Sequence, residues 1–209
     1  MAKSTVHLFV FDTMADWEPA FAIAGINNPE WQLDPGRYEV KTASVNRETV
    51  TTIGGVRIQP DMALDEVTAR ASSMLILPGG KSWERGANQE AVALATEFLA
   101  EDVPVAAICA ATLALAQAGL LDRREHTSNA RQYLAACGYR GAAFYGDAPA
   151  VADGKLITAS GIAPVDFACQ IFRMLGLYSD AALEAWHALF KHGDASKYYQ
   201  LAGASNPQG

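Results

Sequence analysis

The sequence predicts an α/β domain built on a parallel sheet with helices on both faces. Three observations carry this. The strand-length runs VHLFVF, SMLIL and VPVAAI are apolar throughout rather than alternating, as strands buried on both sides must be. They alternate with helical patterns along the chain. Turn residues stop them, most clearly Pro78-Gly79-Gly80 after SMLIL.

Taken in order, Val6 to Phe11 is a strand followed by the loop DTMADWE. Pro19 to Ile26 is a helix, with proline tolerated in its first turn. Tyr38 to Val45 alternates and reads as a strand, and TVTTIGGVRIQP as a hairpin in which Gly54-Gly55 supply positive φ. Ser73 to Leu77 is a buried strand, Ala87 to Glu101 a helix, Val103 to Ile108 a strand and Ala110 to Leu121 a helix. GKLITAS is a late strand and Val165 to Leu175 a helix. From Ser179 onward one further helix carries an aromatic face. No repeat, low-complexity tract or linker divides the chain, so 1–209 reads as one domain: a core over 1–177, a helical extension over 178–201 and a frayed tail over 202–209.

Half of the residues are hydrophobic and 19% charged, ordinary for a chain that buries a core. The net charge of −7 and the lack of a basic run exclude nucleic acid and anionic membrane as partners. No apolar run approaches the roughly 18 residues of a membrane span. MAKSTVHLFVFD enters a strand with no apolar leader or cleavage site, so the expected location is the cytoplasm. The three cysteines, Cys109, Cys137 and Cys169, are an odd number without framework spacing, and are expected as thiols. His7, His187 and His192 lack metal-ligand spacing, and there is no Walker loop or dinucleotide fingerprint. Neither metal nor cofactor is expected, and the partner is a small-molecule substrate or ligand.

Parallel sheets bind ligands beyond the carboxyl ends of their strands, where DTMADWE, LPGGKSW and ICAAT should converge. Cys109 stands where the strand PVAAI hands over to a helix. Such a turn exposes its first side chain at the top of the sheet, and Ala107, Ala110 and Ala111 are small enough for it. The helix starting at Ala110 aims free N–H groups and a positive dipole end at the sulfur, favouring thiolate. The amides of Ala110, Gly79 and Gly80 are candidate oxyanion donors. A second reading makes Cys109 a small core residue of a well-packed βα unit; the segment alone leaves both open.

Four pieces, VFDTMADWEPA, LILPGG, PVAAICAATLALAQAGLL and LITASGIAPVDFACQI, together resemble the ThiJ/PfpI superfamily in order and spacing over residues 6 to 175. The resemblance implies a flavodoxin-like, glutamine amidotransferase-like three-layer sandwich, a homodimer, and a reactive elbow cysteine at Cys109. It also implies an acidic partner from the first loop, here Glu18. A carboxyl group in an apolar pocket beside the sulfur should have a raised pKa and donate a hydrogen bond to it, so that Glu18→Leu would raise the thiol's own pKa. Asp16 is the alternative acid, with a solvated loop residue as its plainer reading. Trp17 and Trp83 are placed to roof the pocket or to pack, and Asn129 to Arg131 and Tyr145 to Pro149 to form its rim.

The pattern departs at the histidine that competent members add. Directly after the cysteine stands Ala110, and at the later position stands Asn129, with His126 three residues earlier. Asn129 can bind a substrate but cannot act as a base, which weakens amide hydrolysis. Three functions fit: a cysteine-dependent hydrolase, lyase or hydratase using Cys109, Glu18 and His126 on a small electrophile; a redox or stress protein whose Cys109 is oxidised; and a ligand-binding module without turnover.

Overall fold

The computed structural model describes residues 3–204, with side chains described to residue 202. Seven strands form the main sheet in the order β5 (Met62–Ala63), β2 (Tyr38–Ser44), β1 (Ser4–Phe9), β6 (Ser72–Leu77), β7 (Val105–Ile108), β9 (Leu156–Ala159) and β8 (Ala150–Asp153). Every pairing is parallel except that of β8 with β9. Without the edge strands β5 and β8, the five remaining strands run 2-1-3-4-5 in chain order, the flavodoxin-like arrangement. Its topological switch point lies between β1 and β6.

The apolar runs are strands for the reason the sequence suggests. Met74 to Leu77 and Val105 to Ile108 are wholly buried at both parities, so each face of the sheet is covered. Helices α1 (Trp17–Asn27) and α6 (Pro164–Leu175) pack on each other, whereas α3 (Gln89–Ala100) and α4 (Ala110–Gln117) lie against β6 and β7. On α6, Val165, Ala168, Cys169, Phe172 and Leu175 repeat at three- and four-residue spacing and are all buried, and Gly176 ends the helix at φ +58°. Large buried side chains such as Phe98, Phe167 and Phe172 each contribute about 1.5–3 kcal/mol from leaving water.

Several elements differ from expectation. The hairpin is present as β3 (Val50–Thr51) and β4 (Arg57–Ile58), but only Gly55 takes positive φ. β8 was not foreseen: AVAD is short, lies at a sheet edge and joins β9 through the turn Gly154-Lys155. α2 (Lys81–Glu84) and α5 (Arg131–Ala135) are single-turn helices, the first in a segment expected as a loop and the second in a segment given no element. The C-terminal extension is two helices, α7 (Asp180–His192) and α8 (Ser196–Ala204), because Gly193 at φ +68° breaks it. Of the tail expected to fray, 202–204 belong to α8 and 205–209 lie outside the described residues. Among the described residues, no helix is long and apolar enough to cross a membrane.

Candidate active site

The three loops expected to converge do so at the switch point. Ala15 N–H donates to the Gly79 carbonyl at 2.9 Å, tying the loop after β1 to the loop after β6, and Met14 forms a bridge with Gly80. A fourth loop, after β9, closes the ring: the Trp17 indole N–H donates to the Gly161 carbonyl at 3.1 Å.

Cys109 sits between β7 and α4 with φ +59° and ψ −126°, a region that L side chains rarely occupy. Holding a non-glycine residue there costs on the order of 1–3 kcal/mol and requires a fixed surrounding. The Cys109 N–H donates to the Ala159 carbonyl at 2.9 Å, and Thr112 Oγ1 donates to the Cys109 carbonyl at 2.5 Å, which leaves it to accept from the Ser128 hydroxyl at 2.7 Å. Glycine is needed beside it on two sides. A Cβ on Gly79 would lie 2.6 Å from Cys109 Cβ, and one on Gly161 would lie 2.7 Å from Cys109 Sγ.

Glu18, on the first turn of α1, is 0% exposed. Its Oε2 accepts the Gly79 N–H at 2.5 Å, and its Oε1 is buried with no hydrogen-bond partner of ordinary geometry. Burial pushes its pKa up to about 7, against the Gly79 and Cys109 contacts, which pull it down. Burial also pushes the Cys109 thiol up to about 12, and the neighbouring Glu18 charge adds to this; Asn129 and the Ala110 amide oppose it. The expectation of a free thiolate is therefore corrected. The start of α4 does aim an amide at the sulfur, but desolvation outweighs it. Glu18 and Cys109 form a coupled pair in which Glu18 loses its proton first.

Asn129 stands at the sulfur: its Nδ2 donates to Cys109 Sγ at 3.3 Å, and its Oδ1 accepts the Gly161 N–H at 2.9 Å. His126 does not join the cluster. It is fully buried, with Nδ1 on the Arg124 carbonyl at 2.7 Å and Nε2 on the Tyr139 hydroxyl at 3.1 Å. The Gly79 amide is likewise not free for an oxyanion, being taken by Glu18. Asp16 is turned away, accepting from Thr52 Oγ1 and, at 2.7 Å, from Gly54 N–H, so it anchors the β3–β4 hairpin. Trp83 is only 1% exposed, donates to the Pro78 carbonyl and packs on Phe9 and Phe11, whereas Trp17 is 52% exposed at the rim. Of the expected rim segments, Asn129 to Arg131 and Tyr145, Asp147, Ala148 and Pro149 line a depression of about 500 Å³, but neither Cys109 nor Glu18 is among its lining residues.

Two residues went unrecognised in the sequence. Gly161 holds Asn129 and leaves room for the sulfur, and the Gly-Ile after the strand LITAS is the only hint of it. Tyr133 is close enough for the charges of Cys109 and Glu18 to raise its pKa, after burial and Glu84. Its helix was hidden in a segment without a clear period.

Known proteins share this architecture. The sequence profile of the DJ-1/PfpI family matches residues 4–174. The uncharacterized protease YoaZ of Bacillus subtilis is 39% identical over 209 residues, covering 99% of this chain and all of that protein. Deglycase PH1704 of Pyrococcus horikoshii is 37% identical over 101 residues, 48% of this chain and 61% of its own length. Among solved structures, a ThiJ/PfpI family protein from Bacillus anthracis superposes with a TM-score of 0.90 at 39% identity, covering 98% of this chain and 99% of that one. The DJ-1 superfamily protein Atu0886 from Agrobacterium tumefaciens gives 0.81 at 36% identity, covering 91% and 98%. With the 2-1-3-4-5 sheet and a cysteine elbow at its carboxyl edge, a match over most of the core leaves one assignment: the chain belongs to the DJ-1/PfpI family.

Proposed function

We propose that the protein is a cysteine-dependent enzyme of hydrolase-like type in which Cys109 adds to a small carbonyl electrophile and Glu18 carries the proton. The observation behind this is the Glu18 carboxyl group, buried beside the thiol, with one oxygen unpartnered and its pKa pushed up to about 7. A base that titrates near the working pH is the efficient kind, and it supplies what the absent histidine would. As sulfur attacks, the thiol proton passes to Glu18 Oε1. It then passes from Glu18 to the carbonyl oxygen, leaving a neutral hemithioacetal. The Ala110 N–H and Asn129 Nδ2, the donors at the sulfur, stabilise the negative charge that develops. For an α-oxoaldehyde, the C1 proton of the hemithioacetal then moves to C2 with Glu18 as carrier, which leaves a 2-hydroxyacyl thioester on Cys109; addition of water to that thioester releases the 2-hydroxy acid and returns the proton to the thiol. The protease and deglycase names of relatives agree with this class of chemistry.

The test is consumption of methylglyoxal, with an isocyanide and a peptide amide in parallel. Wild type should consume the aldehyde and Cys109→Ala should not. Equal rates in the two proteins, or no consumption by either, would overturn the proposal.

One observation favours a second reading. The donors at the sulfur and a carboxyl group able to stay protonated up to about pH 7 also suit the oxygens of a cysteine sulfinate. Peroxide treatment with peptide mass spectrometry reads this directly: a two-oxygen gain confined to Cys109 supports it, and a gain spread over Cys137 and Cys169 counts against it.

A further inference from the structure

Two single-turn helices pack against α4, the helix that starts at the Cys109 turn. α2 follows the turn containing Gly79, whose N–H holds Glu18, and α5 begins two residues after Asn129, which holds the sulfur. Between them, the Tyr133 hydroxyl on α5 donates to Glu84 Oε1 on α2 at 3.0 Å. The Tyr133 ring is partly buried and packed on the core, whereas Glu84 is exposed. Neither helix has a side-chain cap at its start, and one turn of helix has almost no stability of its own. Their relative position therefore depends on contacts such as this bond.

We propose that Tyr133 and Glu84 form a latch across the mouth of the site and set the size of electrophile that reaches Cys109. The phenol hydrogen is committed to Glu84, so Tyr133 acts here as a bar across the opening and not as a proton source. Because Glu84 faces water, the bond is weak enough to open for entry and strong enough to bias the closed arrangement. The inference rests on Cys109 as the reacting centre, the reading made above, but not on carbonyl addition as the reaction.

The test compares two maleimides with the same reacting group, N-ethylmaleimide and the bulkier N-(1-pyrenyl)maleimide, following labelling of Cys109 by peptide mass spectrometry. Both need the thiolate, so any change in thiol acidity cancels in the ratio of their rates. Tyr133→Phe and Glu84→Ala should each raise the bulky-to-small ratio about fivefold or more. Glu84→Gln, which keeps an acceptor, should restore most of the wild-type ratio, and the double variant Tyr133→Phe/Glu84→Ala should do no more than either single change. The two residues lie on different helices, so if one variant fails to fold the other carries the test. Ratios within about twofold of wild type in the single variants would overturn the latch. So would additive effects in the double variant, or no labelling of Cys109 by N-ethylmaleimide in any protein. Absence of methylglyoxal turnover would defeat the proposed reaction and leave this measurement intact.

Discussion

Asn129 binds Cys109 and Gly161 at once, and the second contact fixes the first. A backbone N–H can be met only by the oxygen of the side-chain amide, so the Gly161 N–H at 2.9 Å on Oδ1 turns the NH2 group onto the sulfur, 3.3 Å away. Where the resemblance leads us to expect a histidine, this chain places a donor that cannot accept a proton from the thiol.

Asn129→Asp keeps the oxygen that Gly161 needs and puts a second oxygen on the sulfur in place of the NH2 group. A donor that lowers the thiol's pKa is then replaced by a like charge that raises it. Alkylation of Cys109 by iodoacetamide at pH 8 should slow by about tenfold or more, with the pH–rate profile moved to higher pH. An unchanged profile would mean that Asn129 does not touch the sulfur in solution.

Glu18→Gln separates acidity from catalysis. The Glu18 charge is among the causes that raise the Cys109 pKa, so removing it lowers that pKa, the reverse of what the sequence suggested for loss of Glu18. Alkylation at pH 8 should quicken while methylglyoxal turnover falls by roughly a hundredfold or more, because the proton carrier is gone. Parallel rises or parallel losses in the two rates would contradict the proton-transfer role.

The same substitution has a stability signature. In the unfolded chain Glu18 ionises near its ordinary value of 4.5, and in the folded protein near 7. Its contribution to stability is complete below pH 4.5 and is lost as pH rises through 7, because the unfolded state releases the proton first. The stability of wild type relative to Glu18→Gln should fall by about 3 kcal/mol across that interval, measured by urea unfolding at a series of pH values. A difference that stays flat with pH would show that Glu18 is not buried as described.

Much of this site could be read from sequence because it depends on order and size. Apolar strands alternating with helices place the loops bearing Glu18, Gly79 and Cys109 at one edge, and small residues about Cys109 announce a tight turn. What could not be read depends on burial and on distant neighbours. The dipole argument for a thiolate at Cys109 is local, whereas the desolvation that defeats it comes from four loops closing together. Trp83 sits beside LPGG in sequence, yet Phe9 and Phe11 draw it into the core. Gly161 follows β9 in an ordinary loop, and only the position of the sulfur 52 residues earlier in the chain makes its missing side chain matter.

Gly161→Ala tests that crowding. The added methyl group would lie 2.7 Å from Cys109 Sγ, 2.9 Å from its Cβ and 3.1 Å from Glu18 Oε1. Overpacking of this kind costs about 1–3 kcal/mol. The melting temperature should fall and labelling of Cys109 by iodoacetamide should drop, while the exchange of core amides in β6 stays slow. Wild-type labelling in this variant would place the sulfur elsewhere.

His126→Leu distinguishes a structural histidine from a catalytic one. Burial lowers the His126 pKa, so the ring is neutral at pH 7, and a neutral ring has one donor and one acceptor. The Arg124 carbonyl can only accept, which puts the hydrogen on Nδ1 and leaves Nε2 to accept from the Tyr139 hydroxyl. Both nitrogens are then used, and neither is available to a proton at Cys109. Leucine would leave two partly buried polar groups unpaired, a loss of about 1–3 kcal/mol in unfolding free energy. The pH profile of Cys109 alkylation should be unmoved, because the acid that titrates beside the sulfur is Glu18. A shifted midpoint, or lost turnover with stability intact, would return His126 to the site.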